Sequence, residues 1–168
     1  LVVLWGDHGF SFGRNGAWTK HTNYEQANRI PLLFAGPGIP RGVRTSALAE
    51  TVDIFPTLCA LAGLPAPKVP QPMDGTSLVP VLRDASARTK DHVYHAFPRQ
   101  RPGHGQVIGR AIRTARHRLV EWKKPGAPEE TADLELYDYV ADPLETNNLA
   151  ASQPAVVAQL RALLRTHP

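Results

Sequence analysis

The sequence predicts an α/β part followed by a small antiparallel α+β subdomain that ends in a helix, and three observations predict it. A continuous apolar run, Leu1-Val2-Val3-Leu4-Trp5, opens the chain and reads as a strand buried on both faces of a parallel sheet. After about residue 90 short strand-like segments come in series, which favours antiparallel pairing. Near the end, Val156, Val157, Leu160, Leu163 and Leu164 fall on one helical face. The division expected is residues 1–90 for the sheet-and-helix part and 91–168 for the antiparallel subdomain.

The elements follow in order. Gly6-Asp7-His8-Gly9 ends the first strand in a sharp turn. Residues 10–28, rich in Gly, Asn, Thr and aromatics without a period, read as a long ordered loop. Ile30 to Ala35 is the second strand, with Pro31 at its entry and Gly36-Pro37-Gly38 closing it. Asp53 caps a helix that runs to Gly63, with Val52, Phe55, Cys59 and Ala62 on one face. A proline-rich connector over residues 64–75 leads to a short helix from Ser77 to Arg83. Arg110 to Thr114 and Leu119 to Lys123 pair around a turn at Arg116-His117, and Leu134 to Val140 is a third strand. Ser152 caps the final helix.

Composition bounds the function. With 168 residues the chain can bury one full core. It starts inside a strand with few parallel partners in view, so it is expected to be the C-terminal part of a longer protein and to need that protein's N-terminal part as partner. The formal charge of +4 comes from scattered basic residues, which argues against a nucleic-acid groove reader. No run reaches membrane-spanning length. The single cysteine, Cys59, allows no internal disulfide and sits in an apolar helical context that suits a structural thiol.

Chemistry concentrates early. Asp7 and His8 stand just beyond a strand end, where ligands gather in open α/β sheets, and their adjacent oxygen and nitrogen donors suggest a metal site. Lys20, in Trp18-Thr19-Lys20-His21-Thr22-Asn23, is a point charge suited to sulfate or phosphate oxygens. Arg99 and Arg101, expected on a loop over the sheet, are candidates for a substrate carboxylate or a second sulfate, and His104 has the same standing. Glu25 and Arg29, four apart, read as an ion pair. Trp18 and Trp122 read as packing residues.

Taken together, these residues form a pattern. Gly6-Asp7-His8-Gly9, Gly16-Ala17-Trp18-Thr19-Lys20, Arg29-Ile30-Pro31-Leu32-Leu33-Phe34 and Gly36-Pro37-Gly38 resemble the C-terminal half of type I sulfatases. The resemblance is strongest to the branch containing iduronate 2-sulfatase. It continues through Thr51 to Leu58, Asp74 to Leu78, Gly109 to Thr114, Glu135 to Asp138 and Asp142-Pro143-Leu144-Glu145-Thr146-Asn147-Asn148-Leu149.

The resemblance implies the alkaline phosphatase-like fold and hydrolysis of a sulfate monoester, with a sulfated sugar as the expected substrate. It implies Asp7 and His8 as ligands of a divalent metal, usually calcium, and Lys20 as the sulfate contact. A cation and an ammonium stabilise the negative charge that builds on sulfate oxygens. Imidazole suits zinc or manganese better than calcium, which keeps open a phosphonate or phosphodiester hydrolase of the same superfamily. The family's cysteine-centred nucleophile motif is absent from this sequence, so the segment alone is expected to be inactive. A basic module that binds nucleic acid or an acidic polysaccharide is the reading from another class.

Overall fold

The computed structural model describes residues 1–65, 68, 70–103 and 105–167. The described residues form two compact units. One is Leu1–Trp5 with Leu32–Val93, and the other is Gly6–Pro31 with everything from Tyr94 onward. Residues 6–31 thus cluster with the later part of the chain, whereas the sequence groups them with the first 90.

In the first unit, β1 (Val2–Trp5) pairs with β4 (Leu32–Ala35), Val2 opposite Ala35 and Trp5 opposite Leu32. The pairing is antiparallel, which corrects the expected parallel arrangement. Parallel neighbours need a long crossover, usually a helix. The one α-helix in the stretch between these strands, α1 (Glu25–Asn28), is a single turn. Within this chain Val2, Leu4 and Trp5 are exposed, so its own residues do not supply the burial on both faces that the sequence predicts.

The predicted helix after Asp53 is present as a 3-10 turn, Thr51–Asp53, running into α2 (Ile54–Leu61). Its faces are inverted relative to the prediction: Val52 and Phe55 are exposed, while Asp53 and Thr57 are fully buried. The reason is a satisfied polar knot. Asp53 accepts from the Glu50 and Thr76 amides at 2.7 and 2.8 Å and from Lys90 Nζ at 2.8 Å. Thr57 Oγ1 donates to the Asp53 carbonyl and accepts from the Leu78 amide. A buried carboxylate persists only when paired and hydrogen-bonded in this way. Cys59, expected to be a buried thiol, is only half-buried. A short helix, α3 (Val79–Arg83), follows as expected.

In the second unit, β5 (His92–Arg101), β6 (Gly105–Thr114), β7 (His117–Lys123) and β8 (Asp133–Asp138) form a sheet in that order. The β6–β7 and β7–β8 pairs are antiparallel. The first of the four strands was not foreseen, and its Phe97–Arg101 stretch, expected to be a loop, is strand. Ile112, Leu119 and Leu136 align across neighbouring strands and are fully buried. They pack with Val157, Leu160 and Leu164 of α4 (Pro154–Leu164), the predicted apolar stripe. Ser152 does not cap this helix. Its hydroxyl donates to the Leu149 carbonyl, and Pro154 at the first helical position fixes the start. The opposite face of the sheet carries Val107, Ala111, Val120 and Trp122.

Candidate functional site

The site residues lie in Gly6–Pro31, which is not a plain loop. Gly13 and Gly16, both at positive φ, let β2 (Ser11–Phe12) turn back onto β3 (Trp18–Thr19). The Gly6–Gly9 turn is tied to the segment that closes this region: the Gly6 amide donates to the Pro31 carbonyl at 3.0 Å and the Gly9 amide to Ala27 at 2.7 Å. A Cβ at Gly9 would lie 2.2 Å from the Gln26 carbonyl oxygen, so only glycine permits this approach.

That turn brings Asp7 and His8 together. His8 Nε2 lies 3.8 Å from Asp7 Oδ2, and the Asp7 side chain is 92% exposed. His8 Nδ1 lies 2.7 Å from the Gly9 carbonyl oxygen, and a carbonyl can only accept, so this nitrogen carries the proton in the neutral ring. The Nε2 lone pair is then free, the form in which imidazole binds metals. Metal bonds of about 2.0–2.6 Å let two atoms at this separation reach one ion. Asp7 and His8 therefore fit as two donors of a divalent site. Among the described residues no cluster of three or more such donors forms.

Lys20 is exposed and follows Thr19, whose φ of 72° lies in the left-handed region, rare for a β-branched residue. Such strain often gathers at functional sites. The Lys20 carbonyl accepts from the Thr22 amide at 2.9 Å. Among the described residues no hydrogen bond or ion pair joins its ammonium to Asp7 or His8. The arginine candidates are engaged elsewhere. Arg101 pairs with Asp133, and the Arg99 guanidinium sits 5.4 Å from the centroid of the Trp122 ring. His104 lies outside the described residues. Trp122 is buried, its Nε1 donating to Glu135 at 3.0 Å, whereas Trp18, read as a packing residue, is exposed with its ring against Gly13. Glu25 pairs with Arg113 rather than Arg29.

The residues that sequence reasoning missed are those under this segment. Asn23, 2% exposed, donates from Nδ2 to the Gly109 carbonyl at 3.2 Å and accepts at Oδ1 from His95 Nδ1 at 2.5 Å. Burial and the nearby Arg118 charge hold the His95 pKa below its usual value, which suits a neutral ring that donates from Nδ1. Arg118 is buried beside the rings of Tyr24 and Tyr137, 5.2 and 5.3 Å from their centroids. It lies 2.6 Å from Glu145 Oε1, but none of its nitrogens makes a well-aligned hydrogen bond among the described residues, so this contact is ionic. The signal for Glu145 was its place in the Asp142–Leu149 motif. Asn23 and His95 carried none, because neither residue type announces a long-range partner.

Residues 13–167 match the family described as N-sulphoglucosamine sulphohydrolase, C-terminal. The chain belongs to this family. A Delta 4,5-hexuronate-2-O-sulfatase of Bacteroides thetaiotaomicron is 33% identical over 98% of this chain and 34% of its own length. Arylsulfatase K of Bos taurus is 31% identical over 99% of this chain and 30% of its own. A solved structure in complex with its substrate, D-glucosamine-2-N,6-O-disulfate, matches with a TM-score of 0.79 at 30% identity. It covers 98% of this chain and 33% of that one. The phosphonate monoester hydrolase of Silicibacter pomeroyi matches with a TM-score of 0.76 at 26% identity, over 98% of this chain and 34% of that one. The chain spans about a third of the length of these relatives. What it shares with them is the C-terminal region of a type I sulfatase and its alkaline phosphatase-like α/β architecture.

Proposed function

We propose that the protein carrying this chain hydrolyses sulfate monoesters on a saccharide, with Asp7 and His8 as two ligands of a divalent cation and Lys20 as a contact to the sulfate oxygens. The observation that carries this reading is the match over nearly the whole chain to a hexuronate 2-O-sulfatase. The identity of a second relative, complexed with a disulfated glucosamine, supports a sulfated sugar as substrate. The iduronate 2-sulfatase-like branch is the finer form of the same proposal. The cation, when bound, supplies Lewis-acid stabilisation of the ester oxygens. Asp7 contributes a charged oxygen donor. His8 contributes Nε2, with its tautomer set by the Gly9 carbonyl. Lys20 offsets charge on the non-bridging oxygens as the ester bond breaks. Calcium is the cation proposed; manganese or zinc would accompany the phosphoryl-transfer alternative, which the nitrogen donor and the phosphonate hydrolase match favour.

The test uses the whole protein. Turnover of uronate 2-sulfate, glucosamine N-sulfate and 6-sulfate is compared with turnover of a phosphonate monoester, before and after chelation and restoration with calcium, manganese or zinc. Lys20→Ala is expected to lower kcat/KM on the preferred sulfate by roughly 10²–10³-fold, the usual effect of losing one charge-stabilising group. Unaltered sulfate turnover after Asp7→Ala would overturn the assignment. A preference for the phosphonate ester would favour the alternative.

A further inference from the structure

We propose that Glu145, Asn23 and His95 are positioning residues for Lys20, fastening residues 15–25 to the antiparallel sheet with Lys20 at their midpoint. The inference rests on the reading of Lys20 as the sulfate contact. Both ends of that segment return to one residue. Asn15 Nδ2 donates to the Glu145 carbonyl at 3.2 Å, and the Glu25 amide donates to Glu145 Oε2 at 3.0 Å. Glu145 is itself held: it is 4% exposed, accepts from Tyr139 Oη at 2.6 Å and faces Arg118 at 2.6 Å.

Between the two ends, Asn23 pins the segment to β6 through the Gly109 carbonyl, and His95 of β5 fixes the orientation of its amide. The Asn23 amide therefore cannot flip without facing its Nδ2 toward the His95 donor and its oxygen toward a carbonyl. From this buried anchor only Thr22 and His21 separate Lys20, and the Thr22 amide binds the Lys20 carbonyl directly. Thr22 is itself buried, and its carbonyl and hydroxyl are engaged by Asn28 and the Tyr24 amide. An exposed lysine has a long, flexible stem, so its useful position depends on where its Cα is held. Here the segment around the Cα is held by hydrogen bonds to β5, β6 and the connection that carries Glu145.

The experiment is a double-mutant cycle in the whole protein with a parallel hydrogen-exchange measurement. Asn23→Ala alone is expected to lower kcat/KM by up to about 10²-fold, the scale set by ångström-level misplacement. In a Lys20→Ala background it should add less than about 3-fold, because residues acting as a unit are non-additive. His95→Asn, which keeps a donor near the Nδ1 position, should retain activity that His95→Ala loses. Amide exchange at residues 18–22 should quicken in Asn23→Ala while β6–β8 stay protected. Asn15→Gly, which suits the left-handed φ of 52° at that position, repeats the test at the exposed end of the segment by removing only the hydrogen bond to the Glu145 carbonyl. Full additivity of Asn23→Ala with Lys20→Ala overturns the proposal, because the residue would then be acting on stability or elsewhere. Should Lys20→Ala leave turnover intact, the sulfate role of Lys20 is what fails. The positioning claim then stands on exchange, and unchanged exchange at residues 18–22 overturns it.

Discussion

The two faces of the four-stranded sheet both bury apolar side chains, but they differ in what lies over them. On one face α4 lays Val157, Leu160 and Leu164 over Ile112, Leu119 and Leu136, and burial of apolar area does the stabilising. Each such side chain contributes about 1.5–3 kcal/mol. On the other face the site-bearing segment is fastened by directional contacts: Asn23 to Gly109, Glu25 to Arg113, and Glu145 to both ends of the stretch. Apolar burial is tolerant of small shifts in position, whereas hydrogen bonds and ion pairs fix distance and angle. Both faces bury apolar side chains, Val107, Ala111, Val120 and Trp122 lying on the second, but only the second carries the hydrogen bonds proposed to set where the exposed lysine stands.

This contrast can be broken. Leu136→Ala should lower the unfolding free energy by about 2–5 kcal/mol, read from denaturant midpoints, while kcat/KM of the molecules that remain folded changes little. A large loss of catalytic efficiency at unchanged stability would mean that the helix-covered face also positions the site.

Gly109→Ala sharpens the comparison, since Gly109 lies where the segment meets the sheet. A Cβ there would be 2.4 Å from Asn23 Nδ2 and 2.6 Å from the Trp122 ring. Overpacking of this kind costs about 1–3 kcal/mol, and here it should be accompanied by lower activity, because Asn23 must give way. Thermal unfolding and steady-state kinetics on the same sample separate the two effects.

The smallest effect concerns acid stability on the helix-covered side. The hydrogen-bonded Arg116 guanidinium beside Asp138 holds its carboxyl down at about 2, against about 3.9 in an unfolded chain. A depressed folded value means that the stabilisation is complete above about pH 4 and is lost as pH falls through about 2. Asp138→Asn should flatten the decline in denaturant midpoint over that interval. An unchanged slope would show that the Arg116 contact adds nothing in solution.

What the sequence made legible follows the same division. Local periodicity found α4, α2, β7 and β8, because their faces are written in consecutive residues. It failed for α2's inward side, where a paired carboxylate and a threonine displaced Val52 and Phe55 to the outside. It also missed β5, whose polar run ending Arg99-Gln100-Arg101 conceals a strand. Asp7, His8 and Lys20 stood out through motif resemblance, and the structure shows how the first two adjoin. Asn23, His95 and Arg118 were invisible, since their meaning lies in partners dozens of residues away, as with the 86 positions separating Asn23 from Gly109.

The return of both Asn15 and Glu25 to Glu145 turns the intervening stretch into a closed ring rather than an open arm. A ring has a circumference, and one inserted residue adds as much as about 3.6 Å to it. Such an insertion has to bulge where the chain is least restrained, between the glycine turn and the buried threonine, at the lysine itself. Sequences that keep this ring should therefore vary its residues far more readily than its length.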